Sequence, residues 1–409
     1  VGAAVAVNLV HGSGLARLGA GTHTAGALTV EALKRDVAAV RGGDADAAGR
    51  DDALSATTVS GAGAENVGIA GSVALNLADS SSVAQVAGPV TITGGGAVRV
   101  ASDARSATGA SATAEVSGGK VGVGASVALN IVAGRSLAEV GDGVALSGAG
   151  DVTVSAEGSH AATTLAEAGA SGGVSVTPAL ALTLASNSAV ARLGSGAALG
   201  ATGDVRIAAA QQATASTRAS GKAAGAKVAV GAAVALAILT DRAEATTARG
   251  IAADGGVTLE AMGASLSTVD AVAGASGAAP ADEDGDAPAG GDVNSVASAA
   301  LGSGADRQQA AGVGDADQQG ATRAAADDEE GRKAATPEGN VSVAAAVGIN
   351  IQRHTVLAEV ADGLDVTAGG ALVLRALGNT DGVITADGKA VGVEDAEGNL
   401  PPPARIGVG

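Results

Sequence analysis

The 409 residues carry a formal net charge of −18 and include no Cys, Phe, Trp or Tyr. The negative charge argues against nucleic acids and anionic membranes as partners, and the lack of cysteine excludes disulfides and thiolate chemistry. With 46% hydrophobic residues, mostly Ala and Val, and 65 Gly, a core has to be built from small side chains in regular layers. This composition favours stacked β-structure.

An alternating apolar strand recurs six times along the chain. Its copies are marked by one residue each, at Asn8, Asn76, Asn130, Thr183, Ala237 and Asn350. The successive spacings are 68, 54, 53, 54 and 113 residues, which a period near 54 with two insertions explains. A fixed period of this length is typical of a solenoid.

Each copy of this first strand has two apolar faces. In the copy that begins at Val121, the large face is Val121, Val123, Val127, Leu129 and Ile131, and the small face is Gly122, Gly124, Ser126, Ala128 and Asn130. Strict alternation is the signature of a β-strand. We expect the large face to pack the interior and a neighbouring layer to cover the small face.

A second alternating strand follows each mark by 18–20 residues, as in Gly150–Ala156 (GDVTVSA). Its apolar side chains are expected to face inward, with Thr153 and Ser155 outward on a solvated face. A short strand and a Gly-rich corner such as 141–143 lie between the two strands. The Ala/Ser/Thr-rich segment Ser159–Ser171 is expected to form a third strand layer over the small face, and a helix is the alternative because Ala favours helix.

These patterns predict an all-β fold, a right-handed parallel β-solenoid (β-helix) built from repeats of about 54 residues. Each repeat forms one large coil or two smaller ones, and packed antiparallel hairpins are the alternative. The apolar run Val228–Thr240 is too short to span a membrane as a helix and falls on the first strand of its repeat.

Two insertions interrupt the repeats. We expect solenoid repeats in residues 1–277, with a loop insertion near 34–64, and an acidic disordered insertion at 278–338. The solenoid then resumes in 339–409, after a Pro-rich break at 393–404, and continues beyond the fragment that this chain represents.

The combination of Val121–Val132 (VGVGASVALNIV), Leu137–Gly143 (LAEVGDG) and Gly150–Ala156 (GDVTVSA) resembles the repeat regions of large bacterial surface adhesins. These are of the filamentous-haemagglutinin and leukotoxin-like filamentous adhesin type. The resemblance covers most of residues 1–277 and 339–409. It implies an extended, exported passenger at the cell surface that mediates attachment, as in autotransporter systems of the outer membrane. Such repeats often carry an aromatic residue where this chain has Ala138–Val140.

Three motifs invite a chemical interpretation. The acidic run Asp282–Asp286 suggests calcium, but an EF-hand loop starting there needs Gly and Glu where Ala287 and Val293 stand. Gly169–Gly173 matches G-x-S-x-G, and Ser117–Lys120 matches S-x-x-K, yet both lack the partners that such motifs need. We interpret them as a solvated loop and Gly-rich corners.

The remaining candidates are histidines, acids and the Asn marks. The four histidines share no repeat position and are expected at exposed loops or strand edges; they are His11, His23, His160 and His354. The strand-borne acids Glu31, Glu139 and Glu260 sit in different repeats, which argues against paired carboxylates. The Asn marks predict a structural amide ladder.

The sequence therefore predicts a non-catalytic stalk segment of a secreted adhesin, with no catalytic, cofactor or metal residues and no cofactor. Its partners would be neighbouring repeats of the same chain and a host or cell-surface receptor, reached through a tip domain outside this fragment. Nucleic acid and direct membrane insertion are not expected. A polysaccharide-active β-helix enzyme and a calcium-binding surface repeat protein are the alternatives.

Overall fold

The computed structural model describes residues 1–34, 52–117, 119–276, 341–390 and 406–408, and they form a parallel β-solenoid. The strands are β1 (Gly2–Leu18), β2 (His23–Ala25), β3 (Leu28–Leu33), β4 (Asp52–Gly63), β5 (Val67–Val86), β6 (Val90–Ile92), β7 (Val98–Ser117), β8 (Val121–Val140), β9 (Leu146–Ser147), β10 (Val152–Leu193), β11 (Leu199–Ala201), β12 (Val205–Thr247), β13 (Ile251–Ala253), β14 (Val257–Ser276), β15 (Val341–Val360), β16 (Val366–Ala368), β17 (Leu372–Ala390) and β18 (Ile406–Val408). The described part of the chain contains no helix long and apolar enough to cross a membrane.

Each repeat is one large coil with two long sides and one short side. In the third coil, β8 is the first wall, β9 is the short side, and the first half of β10 is the second wall. The chain turns at Gly172–Gly173, where the β-register shifts, and the second half of β10 becomes the first wall of the next coil. The two walls of a coil therefore lie face to face, and parallel hydrogen bonding joins each wall to its neighbours.

The β-register confirms the repeat that the sequence predicts. Pairing runs through Asn8, Asn76, Asn130, Thr183, Ala237 and Asn350 without a slip. The second strands are aligned in the same way, at Leu28, Val98, Val152, Val205, Val257 and Leu372. A 54-residue unit is thus one coil.

The interior changes in width along the coil. Near the short side it is filled by Val, Ile and Leu, such as Val140, Val152 and Leu199, all at most 1% exposed. Along the rest of the walls it is filled mainly by Ala, for example Ala128 and Ala181 at 0%. Small side chains let the two walls approach closely, so the coil is wide at one end and thin over most of its length.

The prediction that the large face of the first strand packs the interior is wrong. In β8 the small face, including Gly122, Ser126 and Ala128, is buried, whereas Val127 and Leu129 on the large face lie partly exposed on the outside. The reason is that the covering layer is the second wall of the same coil, and only small side chains fit between the two walls.

The predictions for the faces of the second strand are confirmed. Val152, Val154 and Ala156 are buried inside, while Thr153 and Ser155 face outward. Segment 159–171 is strand, as predicted, but it continues the second wall and does not form a third layer. It covers the small face, since the Ser126 hydroxyl donates a hydrogen bond to the carbonyl of Glu167.

The first insertion is shorter than predicted. Within segment 34–64, which the sequence assigns to a loop, Asp52–Gly63 is strand β4 and pairs with β7. Together β3 and β4 replace one second wall, so the insertion interrupts that wall after Lys34. The acidic insertion 278–338 and the Pro-rich break 393–404 lie outside the described residues.

Aspartates tie successive coils together at the corners. The Asp142 carboxylate accepts a hydrogen bond from the Ser195 backbone N–H at 2.7 Å, and Asp151 accepts one from Asp204 at 2.9 Å. The Ser195 hydrogen bonds and nearby Arg192 hold the pKa of Asp142 below its ordinary value. These contacts explain the Gly-Asp corners that the sequence repeats.

Candidate interaction surface

Three columns of aliphatic side chains run up the outside of the first walls, one residue from each coil. We call this surface the aliphatic face. The columns are Val5, Val73, Val127, Leu180, Val234 and Val347; Val7, Leu75, Leu129, Leu182, Leu236 and Ile349; and Leu9, Leu77, Ile131, Leu184, Ile238 and Ile351. Each column is in β-register over six strands, because the coils stack without slipping.

Two further outer columns extend the aliphatic face toward the start of the first walls. One consists of valines, as at Val121, Val174 and Val228, and the other includes Ile69, Val123 and Val176. Between these and the three main columns lies a column of small residues that is interrupted by exposed Pro178; the small residues are Ala3, Gly71, Ala125, Ala232 and Ala345. The surface therefore has a shallow furrow along the stacking direction.

The aliphatic face is accessible to solvent. Val73 is 37% exposed, Leu180 38% and Ile349 41%, while residues of the middle coils such as Leu129 are half-buried by their neighbours above and below. A strand rises about 3.3 Å per residue and strands lie about 4.8 Å apart, so the face measures about 33 by 24 Å, or about 800 Å². The largest apolar patch of a typical monomer is about 300–600 Å².

Charged groups stand at the two edges of the aliphatic face. Exposed Lys120 and Lys227 precede its first residues on one edge. On the opposite edge His11 Nδ1 lies 2.9 Å from Asp79 Oδ2. A shallow groove of about 630 Å³ along this second edge is lined by the Leu9, Leu77, Ile131 and Leu184 column. The aliphatic face is thus an apolar surface with lysines along one edge and both acidic and basic groups along the other.

An amide ladder on the inner side fixes which face of the first wall points outward. Asn8 Nδ2 donates to Asn76 Oδ1 at 2.8 Å, and Asn76 Nδ2 donates to Asn130 Oδ1 at 2.9 Å. Asn130 Nδ2 also donates to Thr108 Oγ1 of the second wall at 3.1 Å. In the next coil Thr183 Oγ1 lies 2.6 Å from Thr164 Oγ1 instead. Because buried amides need such partners, the Asn side has to be inside, and the large aliphatic side is outside.

A second polar line crosses the interior nearer the short side. Lys34 Nζ donates to Ser80 Oγ at 2.8 Å, and His160 Nδ1 lies 2.8 Å from Ser106 Oγ. His160 is 4% exposed, and burial, with a smaller contribution from the Lys34 charge, lowers its pKa to about 4. His160 is therefore neutral at pH 7.

The same line continues through Asn187 and Asp241. Asn187 Nδ2 donates to Asp241 Oδ1 at 2.9 Å, and Ser265 Oγ donates to Asp241 Oδ2 at 2.6 Å. Burial raises the pKa of Asp241, while these hydrogen bonds and His354 oppose the shift. Among the described residues, His160 Nε2 and Asn187 Oδ1 have no hydrogen-bond partner, and both point to the space beside Gly134.

Most of the residues named as candidates from the sequence make structural contacts. Ser171 lies in the corner between the two halves of β10, and its hydroxyl donates to the Val116 carbonyl at 3.4 Å. A strand follows it, as expected. The expectation that every histidine lies at an exposed loop or strand edge is wrong for His160 and His354. Both face the thin interior, which has room for an imidazole where Gly134 faces His160 and Gly263 faces His354.

The strand-borne acids are paired with arginines between coils. Glu31 accepts from Arg99 Nε at 2.6 Å, Glu139 from Arg192 Nε at 2.6 Å, and Glu260 from Arg206 Nη2 at 2.7 Å. The hydrogen bond from Arg206 lowers the pKa of Glu260. The expected solvated outer face therefore carries ion pairs that join neighbouring coils.

The sequence patterns did not indicate one pair of acids that are neighbours in the fold. Asp103 and Glu157 are β-register partners on the outward side of the second wall, where Asp103 is covered and only 3% exposed, and Asp103 also forms an ion pair with Arg105 at 3.1 Å. Aligning the second strands beyond their first seven residues would have revealed the pair. Within the described ranges no group of three or more His, Cys, Asp or Glu side chains could hold a metal ion. The calcium candidate Asp282–Asp286 lies outside those ranges.

The comparisons with known proteins return no relatives. No protein-family model, no curated protein and no solved structure matches this chain.

Proposed function

We propose that this chain is a shaft segment of a secreted bacterial surface adhesin, with a structural and not a catalytic role. In this role the stack of coils holds a contact domain, encoded outside residues 1–409, away from the cell. The contact domain would bind a host or cell-surface receptor. The chain would lie outside the cell, attached to its surface.

The observation that carries this proposal is the continuity of the parallel ladder. Pairing between β10 and β12 runs from Val152 with Val205 to Leu193 with Thr247 and includes both walls of a coil. About 54 residues are thus used for each strand spacing of about 4.8 Å, which makes a broad and stiff column. Such a column suits mechanical support better than it suits a concave binding site.

Polar contacts between coils support the same role. The amide ladder, the corner aspartates and the arginine pairs of Glu139 and Glu260 all join one coil to the next. Contacts of this kind resist sliding of one coil over another, because sliding would leave buried polar groups without partners. A shaft needs this resistance along its whole length.

Antibodies raised against residues 67–276 test the proposed location. They are expected to label intact, unpermeabilised cells of the bacterium that produces the protein, and external protease should remove the label. Labelling that requires permeabilisation would contradict the proposal. An in-frame deletion of residues 152–204, which removes one coil in register, should preserve both display and attachment.

The polysaccharide-active enzyme stays the main alternative hypothesis. Asp103 and Glu157 are the adjacent carboxylates on which such an activity would depend. Release of reducing ends from a bacterial or host polysaccharide, lost in an Asp103→Asn variant that still folds, would replace the shaft proposal. Calcium binding is tested by titration with Ca²⁺, and saturable binding would support that alternative.

A further inference from the structure

We propose that the aliphatic face is a pairing surface for a second copy of this chain, joined face to face. The inference concerns a different surface from the stacking contacts and does not depend on attachment or display. It follows from the size of the face and from its shape.

The size of the face matches what a stable dimer needs. The outer columns cover about 800 Å² of sheet, and a standard protein interface buries about 800 Å² on each partner. The three main columns contain only Val, Leu and Ile, with no charged or polar side chain among them. Leaving such a surface in water is unfavourable, at about 25 cal/mol per Å² of apolar area.

The shape of the face favours one way of joining two copies. The furrow of small residues, which includes Ala125 and Ala232, lies beside the column that includes Val127 and Val234. A two-fold axis parallel to the stacking direction, placed between these columns, seats the larger column of each copy in the furrow of the other. The coils then stay level, and the strands of the two copies run antiparallel across the interface.

The charges at the edges give one favourable and one unfavourable contact in this arrangement. Rotation about this axis exchanges the edges, so Lys120 of one copy lies one strand spacing, about 4.8 Å, from the level of Asp79 of the other. Lys227 and exposed Arg353 are related in the same way, and these two like charges repel. A two-fold axis parallel to the strands would instead place Lys120 and Lys227 of both copies on the same side, where like charges repel.

Sedimentation analysis of the purified chain tests the pairing. We expect a reversible dimer at concentrations up to about 100 µM, which corresponds to weak or moderate affinity. Because the chain has a net charge of −18, higher NaCl should strengthen association by screening the repulsion between copies. A chain that stays monomeric over this range, at low and high salt, would overturn the inference.

Two substitutions in the same strand separate the aliphatic face from the rest of the surface. Leu182→Glu, on the aliphatic face, is expected to weaken dimerisation at least about 100-fold, because pairing would bury an unpaired carboxylate. Leu165→Glu is the matched control on the outside of the second wall, where Arg218 is its β-register neighbour. It should leave dimerisation unchanged. Equal effects of the two substitutions would contradict a specific face.

A charge-swap experiment tests the orientation of the two copies. In the proposed arrangement Leu182 of one copy faces Val176 of the other at the same level. Mixing Leu182→Glu with Val176→Lys should therefore restore a heterodimer that neither variant forms alone. Failure of this rescue, with both variants folded by circular dichroism, would overturn the proposed arrangement.

A second variant covers the case in which Leu182→Glu does not fold. Ala232→Arg adds a long charged side chain in the furrow without removing any packed group, since Ala232 is partly exposed. It should abolish pairing by blocking the approach of the second copy. A dimer that survives Ala232→Arg would have to use another surface, and the inference would be wrong.

Discussion

Arg249 Nη1 donates a 2.5 Å hydrogen bond to the carbonyl oxygen of Val144, a residue 105 positions earlier in the chain. The same guanidinium also donates to the carbonyls of Gly194, Gly141 and Ser195, and Arg249 is 1% exposed. One side chain thus joins the corners of three successive coils. Burial lowers the pKa of Arg249, and nearby Asp142 opposes that shift.

Replacing Arg249 with Met should therefore destabilise the solenoid. The carbonyls of Gly194 and Val144 lose the donor that Arg249 supplies, whereas those of Ser195 and Gly141 also accept from the backbone N–H groups of Gly143 and Val144. Each buried acceptor left without a partner costs about 1–3 kcal/mol, so we expect a loss of at least about 2 kcal/mol in the free energy of unfolding, measured with urea. Arg99→Met is the control, because Arg99 is 50% exposed and its pair with Glu31 is worth about 1 kcal/mol or less. Equal losses in the two variants would show that the corner contacts contribute little.

The spacing between the walls gives a second prediction. A Cβ atom at Gly124 would lie 2.5 Å from the carbonyl oxygen of Gly169 in the opposite wall, whereas a Cβ at Gly71 meets nothing within 4 Å. Gly124→Ala should therefore push the walls apart and destabilise the fold by about 1–3 kcal/mol. Gly71→Ala, on the outside, should be neutral or slightly stabilising, since it reduces the entropy of the unfolded chain.

Thermal and urea unfolding of both variants check this difference. If Gly124→Ala is as stable as Gly71→Ala, the walls are not in close contact at Gly124. A shared loss in both variants would instead indicate that the β-propensity of the position, and not the contact between walls, decides the outcome.

The sequence predicts the position of each repeat to within one residue. It does not predict which face of the first strand points inward. Alternation in Val121–Ile131 separates two faces but does not say which is inside, and the usual rule places large aliphatic residues in the core. The informative signal was Asn130 and its equivalents among the small residues, because a stacked amide ladder needs a dry interior. Strand β4 was missed because the charged residues before it suggested one continuous loop.

The site residues were harder to foresee for a similar reason. Arg249 follows its strand without any motif, and its four acceptors come from corners far apart in sequence. His160 and Asn187 come together only when the two walls of β10 fold against each other. Contacts between opposite walls depend on where the corner falls, and the Gly-rich corner at Gly172 shifts the β-register by one residue.

Acidification should weaken the fold through His160. Its folded pKa is about 4, below the ordinary value of 6.5, so the unfolded chain binds more protons between these values. Stability is therefore full above about pH 6.5 and falls as the pH drops toward 4. By pH 4.5 the titration of His160 lowers the free energy of unfolding by about 2.5 kcal/mol. Between pH 7 and pH 4.5, the free energy of unfolding measured with urea should therefore fall by about 2.5 kcal/mol less in a His160→Gln variant than in the wild type.

The comparison between variant and wild type is needed because other groups act in the same range. Asp241, for example, responds to acid in the opposite direction. If His160→Gln and the wild type show the same pH dependence, the imidazole is not buried in its neutral form.

Asp241→Asn should stabilise the protein near pH 8. The buried carboxylate is charged there, and burial, the main cause of its raised pKa, makes that charge unfavourable. An Asn at this position can accept from Asn187 through its oxygen and donate to Ser265 Oγ through its amide, so both hydrogen bonds have a replacement. We expect a gain on the order of 1 kcal/mol in the free energy of unfolding.

The pH dependence of this gain follows from the sign of the shift. Because the folded pKa of Asp241 is raised, the folded chain binds more protons than the unfolded chain between pH 3.8 and that raised value, and the wild type becomes relatively more stable as the pH falls through this window. The advantage of Asp241→Asn should therefore shrink on acidification. Asn187→Asp is the opposing variant, since it places a second carboxylate beside Asp241, and it should lose about 2 kcal/mol or more at pH 8 and recover in acid. A large loss in Asp241→Asn at pH 8 would instead mean that the Asp241 charge is compensated inside the solenoid by its hydrogen bonds from Asn187 and Ser265.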